Sequence, residues 1–214
     1  MTRVIPLFPL PGVVLLPEML LPLHVFEPRY RALVGDALAG DRTIGMAMLK
    51  PGWESAPEVP PVHSIGGAGE IVECEKLPDG RYNILLEGRF RYRIVREETT
   101  ATPYRRASVE EIRAIPFGSA DEETRVSETA LGLFEEIRGQ LDLAPMPEAL
   151  LSGERLASEL ALRLRYTPAE LQSLLETDSL ATRFGTLMGR MVEWERRVRF
   201  LAPFRPADLD ATRN

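Results

Sequence analysis

The chain has 214 residues, of which 44% are hydrophobic and 27% charged, and its formal net charge at pH 7 is −6. These values are ordinary for a soluble globular protein with a real core, and the negative charge gives no general attraction to nucleic acid or to an anionic membrane. A single cysteine excludes an internal disulfide. No apolar stretch has the length of a membrane-spanning helix, and the first residues lack the features of a signal peptide. We therefore expect a cytoplasmic protein with no membrane partner.

The segment Ile5–Tyr30 is strongly apolar, yet prolines interrupt it repeatedly. Each proline removes a backbone donor and pushes the residue before it toward an extended conformation, so this segment cannot be one helix. The pattern predicts short buried strands instead. A helix is then predicted over Pro28–Ala39, because proline suits its first position and Gly40 suits its end.

Residues up to about 113 have the pattern of β-strands. The turn sequence Pro78-Asp79-Gly80 predicts a hairpin between Glu70–Lys76 and Tyr82–Glu87. Beyond it, Phe90, Tyr92 and Ile94 alternate with arginines, which predicts a strand with one face in the core and a charged face in water. Several short strands separated by turns predict an antiparallel β-barrel, closed or half closed.

From about residue 121 the apolar residues follow helical spacing. Helices are predicted over Glu122–Leu143 and Gly153–Tyr166. The capping box Thr167-Pro168-Ala169-Glu170 predicts a further short helix ending near Glu176. The last helix is predicted to begin near Asp178 and to end at Pro203 and Pro206.

The predicted fold class is α+β. A β-barrel subdomain with one helix occupies residues 1–115, an α-helical bundle occupies residues 116–204, and residues 205–214 form a frayed tail. The last helix carries an apolar stripe with alternating spacings of four and three residues, which packs either on the other helices or on a partner helix. Because the link Ala114–Ala120 is short, we expect the helices to dock on the barrel through Leu180–Trp194 as one cooperative unit.

The sequence lacks the motifs that carry catalysis. It contains no G-x-x-x-x-G-K-[ST], G-x-S-x-G, H-E-x-x-H or C-x-x-C. Its two histidines have no further ligands at metal-binding spacing, and Cys74 is interpreted as a small buried hydrophobe. We therefore predict that the protein is not an enzyme and uses neither a cofactor nor a metal.

An arginine-rich pair of strands supports an alternative function. If their side chains share one face of the sheet, a basic stripe beside aromatic residues could bind the RNA backbone; the arginines concerned are Arg89, Arg91, Arg93, Arg105 and Arg106. Cross-strand pairing with neighbouring glutamates on a solvated face accounts for them as well. We favour this second interpretation, so nucleic acid is not the expected partner.

Three sequence blocks resemble the N-terminal (LAN) domain of the Lon ATP-dependent proteases: IPLFPLPGVVLLP, LPLHVFEPRYRALV and LPDGRYNILLEGRFRYRI. The chain is more similar still to bacterial proteins that carry this domain alone. The resemblance implies a PUA-like barrel that recognises unfolded or tagged polypeptides and takes part in hexamer organisation. It implies no catalytic residues, since the ATPase and the Ser–Lys peptidase belong to other domains.

The loop Lys50–Ser64 contains four prolines and a tryptophan, Trp53. Trp53 is either an anchor for a partner protein or a residue that folds back over the barrel edge. We expect a peptide or protein to contact a set of residues near the barrel rim: Leu10, Val25, Phe26, Arg29, Tyr30 and Trp53. The chain is expected to be a monomer or a weak homo-oligomer.

Overall fold

The computed structural model describes residues 2–56, 58–147 and 152–201. The described part contains six strands and five α-helices, in the order β1 (Thr2–Leu10), β2 (Leu20–Val25), α1 (Pro28–Ala39), β3 (Thr43–Met48), β4 (Ile65–Lys76), β5 (Tyr82–Glu98), β6 (Arg106–Ile112), α2 (Ala120–Arg138), α3 (Gly153–Arg163), α4 (Pro168–Glu176) and α5 (Leu180–Leu201). A 3₁₀ turn, Trp53–Ser55, lies between β3 and β4. The fold class is α+β, as predicted. The predicted helix end at Pro203 and Pro206 and the tail 205–214 lie outside the described residues.

The strands form one mixed sheet in the order β2-β5-β4-β3-β1-β6, and β5 also pairs with β6. The long strand β5 therefore contacts three partners. The prediction of a purely antiparallel arrangement is wrong for one pair, since β1 and β3 are parallel. The chain passes through β2 and α1 between these two strands, and this crossover returns it in the original direction.

The local predictions in the strand-rich half are confirmed. The hairpin between β4 and β5 forms, and Gly80 at its turn has a φ of 83°, which a residue without a Cβ adopts at little cost. Helix α1 has the predicted bounds. Cys74, however, is exposed and not buried. It lies in the outer end of β4, where every residue from Val72 onward is exposed.

Three groups of apolar side chains form the core. The first lies among the strands and includes Tyr92, and the second packs α1 against the sheet around Leu33. The third holds the helices together, and it includes Leu16 and Ile65 from the strand-rich half. Apolar packing is therefore continuous between the two halves. Among the described helices, none is both long and apolar enough to cross a membrane.

The apolar stripe of α5 is covered within the chain. Leu180, Phe184, Leu187 and Met191 are buried, and α5 packs on α2 and α3. The main contact between the C-terminal helices and the strands is made by α4 on β4, outside the predicted segment Leu180–Trp194, whose buried residues share a core cluster with Leu16 and Ile65. The capping box at the start of α4 is present as predicted.

Arg91 of β5 joins the strands to the helices. Its side chain is only 1% exposed. One terminal nitrogen, Nη1, donates to the carbonyl oxygens of Leu175 at 2.7 Å and Thr177 at 3.3 Å and to the Asp178 carboxylate at 3.0 Å. The other, Nη2, donates to the carbonyl oxygen of Arg113 at 3.3 Å. The guanidinium thus binds the end of α4, where helix carbonyls lack partners of their own.

A second buried guanidinium supports the same helix end. Arg183 of α5 donates to the carbonyl oxygen of Thr177 at 2.7 Å and to the Glu154 carboxylate at 3.1 Å. Burial, and then the nearby charge of Arg91, lower the pKa of Arg183. The two arginines hold the link between α4 and α5 against β5.

Candidate functional site

An open cavity of about 640 Å³ lies where four segments leave the sheet. These segments are the end of β1, the start of α1, the loop that carries Trp53, and the connection from β5 to β6. The walls combine prolines and aromatic rings with a polar rim. The lining includes Pro9, Leu10, Glu27, Arg29, Tyr30, Trp53, Glu58, Pro60, Glu98, Thr100, Thr102, Tyr104 and Arg105.

The opening forms because β1 separates from β6. The two strands pair from Thr2 to Pro6, and one further bond joins the Leu7 nitrogen to the Arg105 carbonyl oxygen at 2.8 Å. Pro9 then has no N–H to donate, so it cannot make a full ladder contact. Its carbonyl oxygen instead accepts a hydrogen bond from the Tyr30 hydroxyl at 3.3 Å.

The first turn of α1 forms one wall. The Tyr30 ring packs on Phe8, with the ring centroids 4.1 Å apart. The guanidinium of Arg29 lies over the outer side of the Tyr30 ring, 4.5 Å from its centroid, and pairs with the Glu27 carboxylate at 2.9 Å. Burial raises the pKa of Tyr30 above its ordinary value.

The loop that carries Trp53 forms the second wall. Gly52 has a φ of 80° and turns the chain into the 3₁₀ turn, which places the partly exposed Trp53 at the cavity. The base of the loop is closed by a bond from the Lys50 nitrogen to the Pro61 carbonyl oxygen at 2.9 Å. Arg105 donates to the Pro60 carbonyl oxygen at 2.7 Å, which ties the loop to the opposite wall.

The connection between β5 and β6 forms the far wall. The Tyr104 hydroxyl donates to the Asp36 carboxylate of α1 at 2.6 Å. Burial, helped by this bond and by the negative charge of Asp36, raises the pKa of Tyr104 to about 12. Arg105 pairs with Glu97 through a bond of 2.7 Å from its Nε. These contacts fix the wall from behind and leave its cavity side open.

Four of the six rim residues predicted from the sequence lie together in this cavity: Leu10, Arg29, Tyr30 and Trp53. The other two do not. Val25 is 1% exposed and packs under α1. Phe26 is 59% exposed, but it lies outside the cavity and stacks on His24. At the junction of β2 and α1, Val25 therefore points into the core, and Phe26 points away from the cavity.

The five arginines of the alternative hypothesis do not share one surface. Arg91 is buried under α4, because the helices cover the outer face of β5 at that point. Arg89 pairs with Glu70 and Glu87, and Arg105 pairs with Glu97 at the cavity. Arg93 is exposed on β5 and Arg106 is partly exposed on β6. A continuous basic stripe is absent from these described strands.

The sequence interpretation missed the acidic and hydroxyl-bearing residues of the cavity. Glu27 and Glu58 come from two distant segments, and Glu98 and Tyr104 from a third. Prolines line the cavity in three of the segments, at the end of β1, in the loop that carries Trp53 and between β5 and β6. Among the residues that the structure describes, no group of three or more His, Cys, Asp or Glu side chains is placed to hold a metal ion.

The family described as the ATP-dependent protease La (LON) substrate-binding domain matches residues 4–193. This match covers most of the sequence, and the chain belongs to that family. The Lon protease of Dictyoglomus thermophilum is 32% identical over 182 residues, which are 82% of this chain and 22% of that protein. Lon protease 2 of Myxococcus xanthus is 27% identical over 189 residues, which are 85% of this chain and 22% of that protein. The chain thus spans about a fifth of the length of these relatives.

Two solved structures have the same fold. The N-terminal domain of the Mycobacterium avium complex Lon protease has a TM-score of 0.68 and 18% identity, with 89% of this chain and 99% of that chain covered. A Lon N-terminal domain protein from Xanthomonas campestris has a TM-score of 0.64 and 24% identity, with 87% and 98% covered. At these identities the likeness concerns the fold, and the predicted resemblance to Lon N-terminal domains is confirmed.

Proposed function

We propose that this chain is a non-enzymatic module that binds segments of other proteins, and that the cavity beside Trp53 is its binding site. The observation that carries the proposal is that Leu10, Tyr30 and Trp53 line one open cavity. The domain belongs to a family that is described as a substrate-binding domain. Its volume lies in the range of sites that hold a small ligand or a few side chains. The partners we propose are unfolded or tagged polypeptides.

The cavity walls suit a side chain from an extended polypeptide. Aromatic rings supply large apolar contact areas at a low entropic cost, because each has only two rotatable side-chain bonds. The wall around Tyr30 is fixed by its contact with Phe8 and by its bond to Pro9, so little order has to be gained on binding. Trp53 remains partly exposed and is the anchor we assign to the partner.

The test is a titration of the protein into a fluorescently labelled, permanently unfolded polypeptide, followed by anisotropy. We expect saturable binding at tens of micromolar or tighter, and a loss of about tenfold or more in the variant Trp53→Ala. The matched control is Phe26→Ala, which removes an exposed aromatic side chain outside the cavity. An absence of saturable binding would refute the proposed function, and equal losses in both variants would refute the placement of the site.

We propose no nucleic-acid function, because Arg91 is buried against Asp178 and because Arg89 and Arg105 pair with glutamates. Of the five arginines, this leaves Arg93 exposed on β5 and Arg106 partly exposed on β6. The cytoplasmic location and the state as a monomer or weak homo-oligomer stay predictions from the sequence.

A further inference from the structure

The polar groups around the cavity are unequally available to a ligand. Its strongest side-chain donors already bind acceptors within the protein: Arg29 binds Glu27, Arg105 binds Glu97 and the Pro60 carbonyl oxygen, Tyr30 binds the Pro9 carbonyl oxygen, and Tyr104 binds Asp36. Arg29, whose side chain is half exposed, uses Nε and Nη2 for Glu27 and keeps the Nη1 hydrogens, so it is the donor among these four that stays open to a ligand.

The hydroxyl protons of Thr100 and Thr102 on the far wall are also used within the protein. The Thr102 hydroxyl donates its one proton to the Tyr104 carbonyl oxygen at 2.9 Å. The hydroxyl groups of Thr100 and Thr102 are 2.7 Å apart, so Thr100 must be the donor in that contact. Neither hydroxyl therefore retains a proton for a ligand.

The acceptors of the cavity remain open. Glu27 and Glu98 each hold a guanidinium, and each carboxylate has more lone pairs than that contact uses. Glu58 is exposed, and no ion pair joins it to another of the described residues. With the ion-pair partners Glu97 and Arg96 counted, four carboxylates face three guanidinium groups, which leaves an excess of one negative charge at the cavity.

Resting on the proposed function, we infer that the cavity selects polypeptide segments in which a bulky apolar side chain lies next to lysine or arginine. The apolar side chain packs against Leu10 and Trp53, beside the buried Tyr30, and the cationic neighbour binds the free carboxylate oxygens of Glu58 and Glu98. A segment with acidic neighbours meets an excess of negative charge, and the open donor on Arg29 is already partly neutralised by Glu27. Specificity then comes partly from rejection of the wrong charge.

The experiment uses three unstructured peptides of equal length with the same central phenylalanine and leucine residues, flanked by lysine, glutamine or glutamate. Isothermal titration calorimetry at low and at 0.5 M salt gives their affinities. We expect the lysine peptide to bind most tightly and the glutamate peptide least, with about two- to fivefold between successive peptides. The differences shrink at high salt because partly exposed charges are screened.

Protein variants locate the effect. In Glu58→Gln, and more strongly in the double variant with Glu98→Gln, the preference for the lysine peptide over the glutamine peptide falls toward one. Glu73→Gln on the exposed end of β4 makes the same change in net charge away from the cavity, and it leaves the preference intact. An equal loss in Glu73→Gln would overturn the assignment to the cavity.

The outcomes separate this inference from the proposed function. If all three peptides bind equally and Trp53→Ala still abolishes binding, the charge selectivity is wrong and the binding function stands. If the glutamate peptide binds best, the inference is also overturned. If none of the peptides binds the protein, both the inference and the proposed function fail.

Discussion

The sharpest prediction concerns Arg91, the buried arginine between β5 and α4. In Arg91→Met the length and most of the volume of the side chain are kept, but its hydrogen bonds to Leu175, Thr177, Asp178 and Arg113 are lost. Asp178 is 42% exposed and regains water, whereas the buried carbonyl oxygen of Leu175 does not. Loss of one partner from a buried charged network costs about 3–5 kcal/mol, and the exposure of Asp178 places our expectation near 3 kcal/mol.

Thermal unfolding followed by circular dichroism and calorimetry checks this prediction. For a chain of this size, about 3 kcal/mol corresponds to a fall in Tm of roughly 6–12 °C. The control is Arg93→Met on the same strand, where the side chain is exposed and the expected change is within about 0.5 kcal/mol. We also expect one unfolding transition for the parent protein, because Arg91 and the shared core join its two halves. Equal stabilities of the two variants would show that Arg91 does not hold the junction.

Three further predictions address single residues. Hydrogen bonds from the N-cap residue Thr167 lower the pKa of Glu170. The ionised carboxylate therefore stabilises the folded protein above about pH 4.5, and this stability is lost as the pH falls through the lower folded-state pKa. In Glu170→Gln, urea titrations from pH 6 to 3 should show a smaller fall in the free energy of unfolding. In Gly67→Ala the new Cβ would lie 1.9 Å from the Leu15 carbonyl oxygen, so the free energy of chemical unfolding should fall by about 1–3 kcal/mol. The control is Gly35→Ala, whose Cβ meets nothing within 4 Å and should leave the stability unchanged or raise it. The folded-state pKa of Tyr104, about 12, lies above that of an unfolded tyrosine, so stability should fall as the pH rises from 10 to 12, and less steeply in Tyr104→Phe; identical slopes would contradict this assignment.

Local chemistry made several elements predictable from the sequence. The bounds of α1 follow from Pro28 and Gly40, and the start of α4 follows from the capping box at Thr167. The alternation along β5 was also interpreted correctly, since Arg91 and Tyr92 do point to opposite sides of the strand. The prediction of an exposed Arg91 failed because α4, more than 80 residues later in the chain, covers that point. No local pattern contains such a contact.

The site was predictable only in part for a similar reason. Apolar residues beside prolines indicated Leu10, Tyr30 and Trp53, because such residues tend to lie where strands end. Glu58 and Glu98 belong to ordinary polar segments, and their meeting at one cavity depends on the pairing of β1 with β3 and β6. That pairing is non-local and has no counterpart in the spacing of residues along the chain.

The position of β1 in the sheet also governs how the chain folds during synthesis. Its partner β6 leaves the ribosome about 100 residues later, so at about 5–20 residues per second β1 waits on the order of 5–20 s for it. During that wait an apolar strand could pair with other nascent chains. Pro6 and Pro9 lie at paired positions of β1 in the finished sheet. Because neither has a backbone N–H, another chain that paired with β1 would lack two hydrogen-bond donors. Pro9, beside which the cavity opens, is therefore also one of two prolines that we expect to make the unfinished strand a poor template for aggregation.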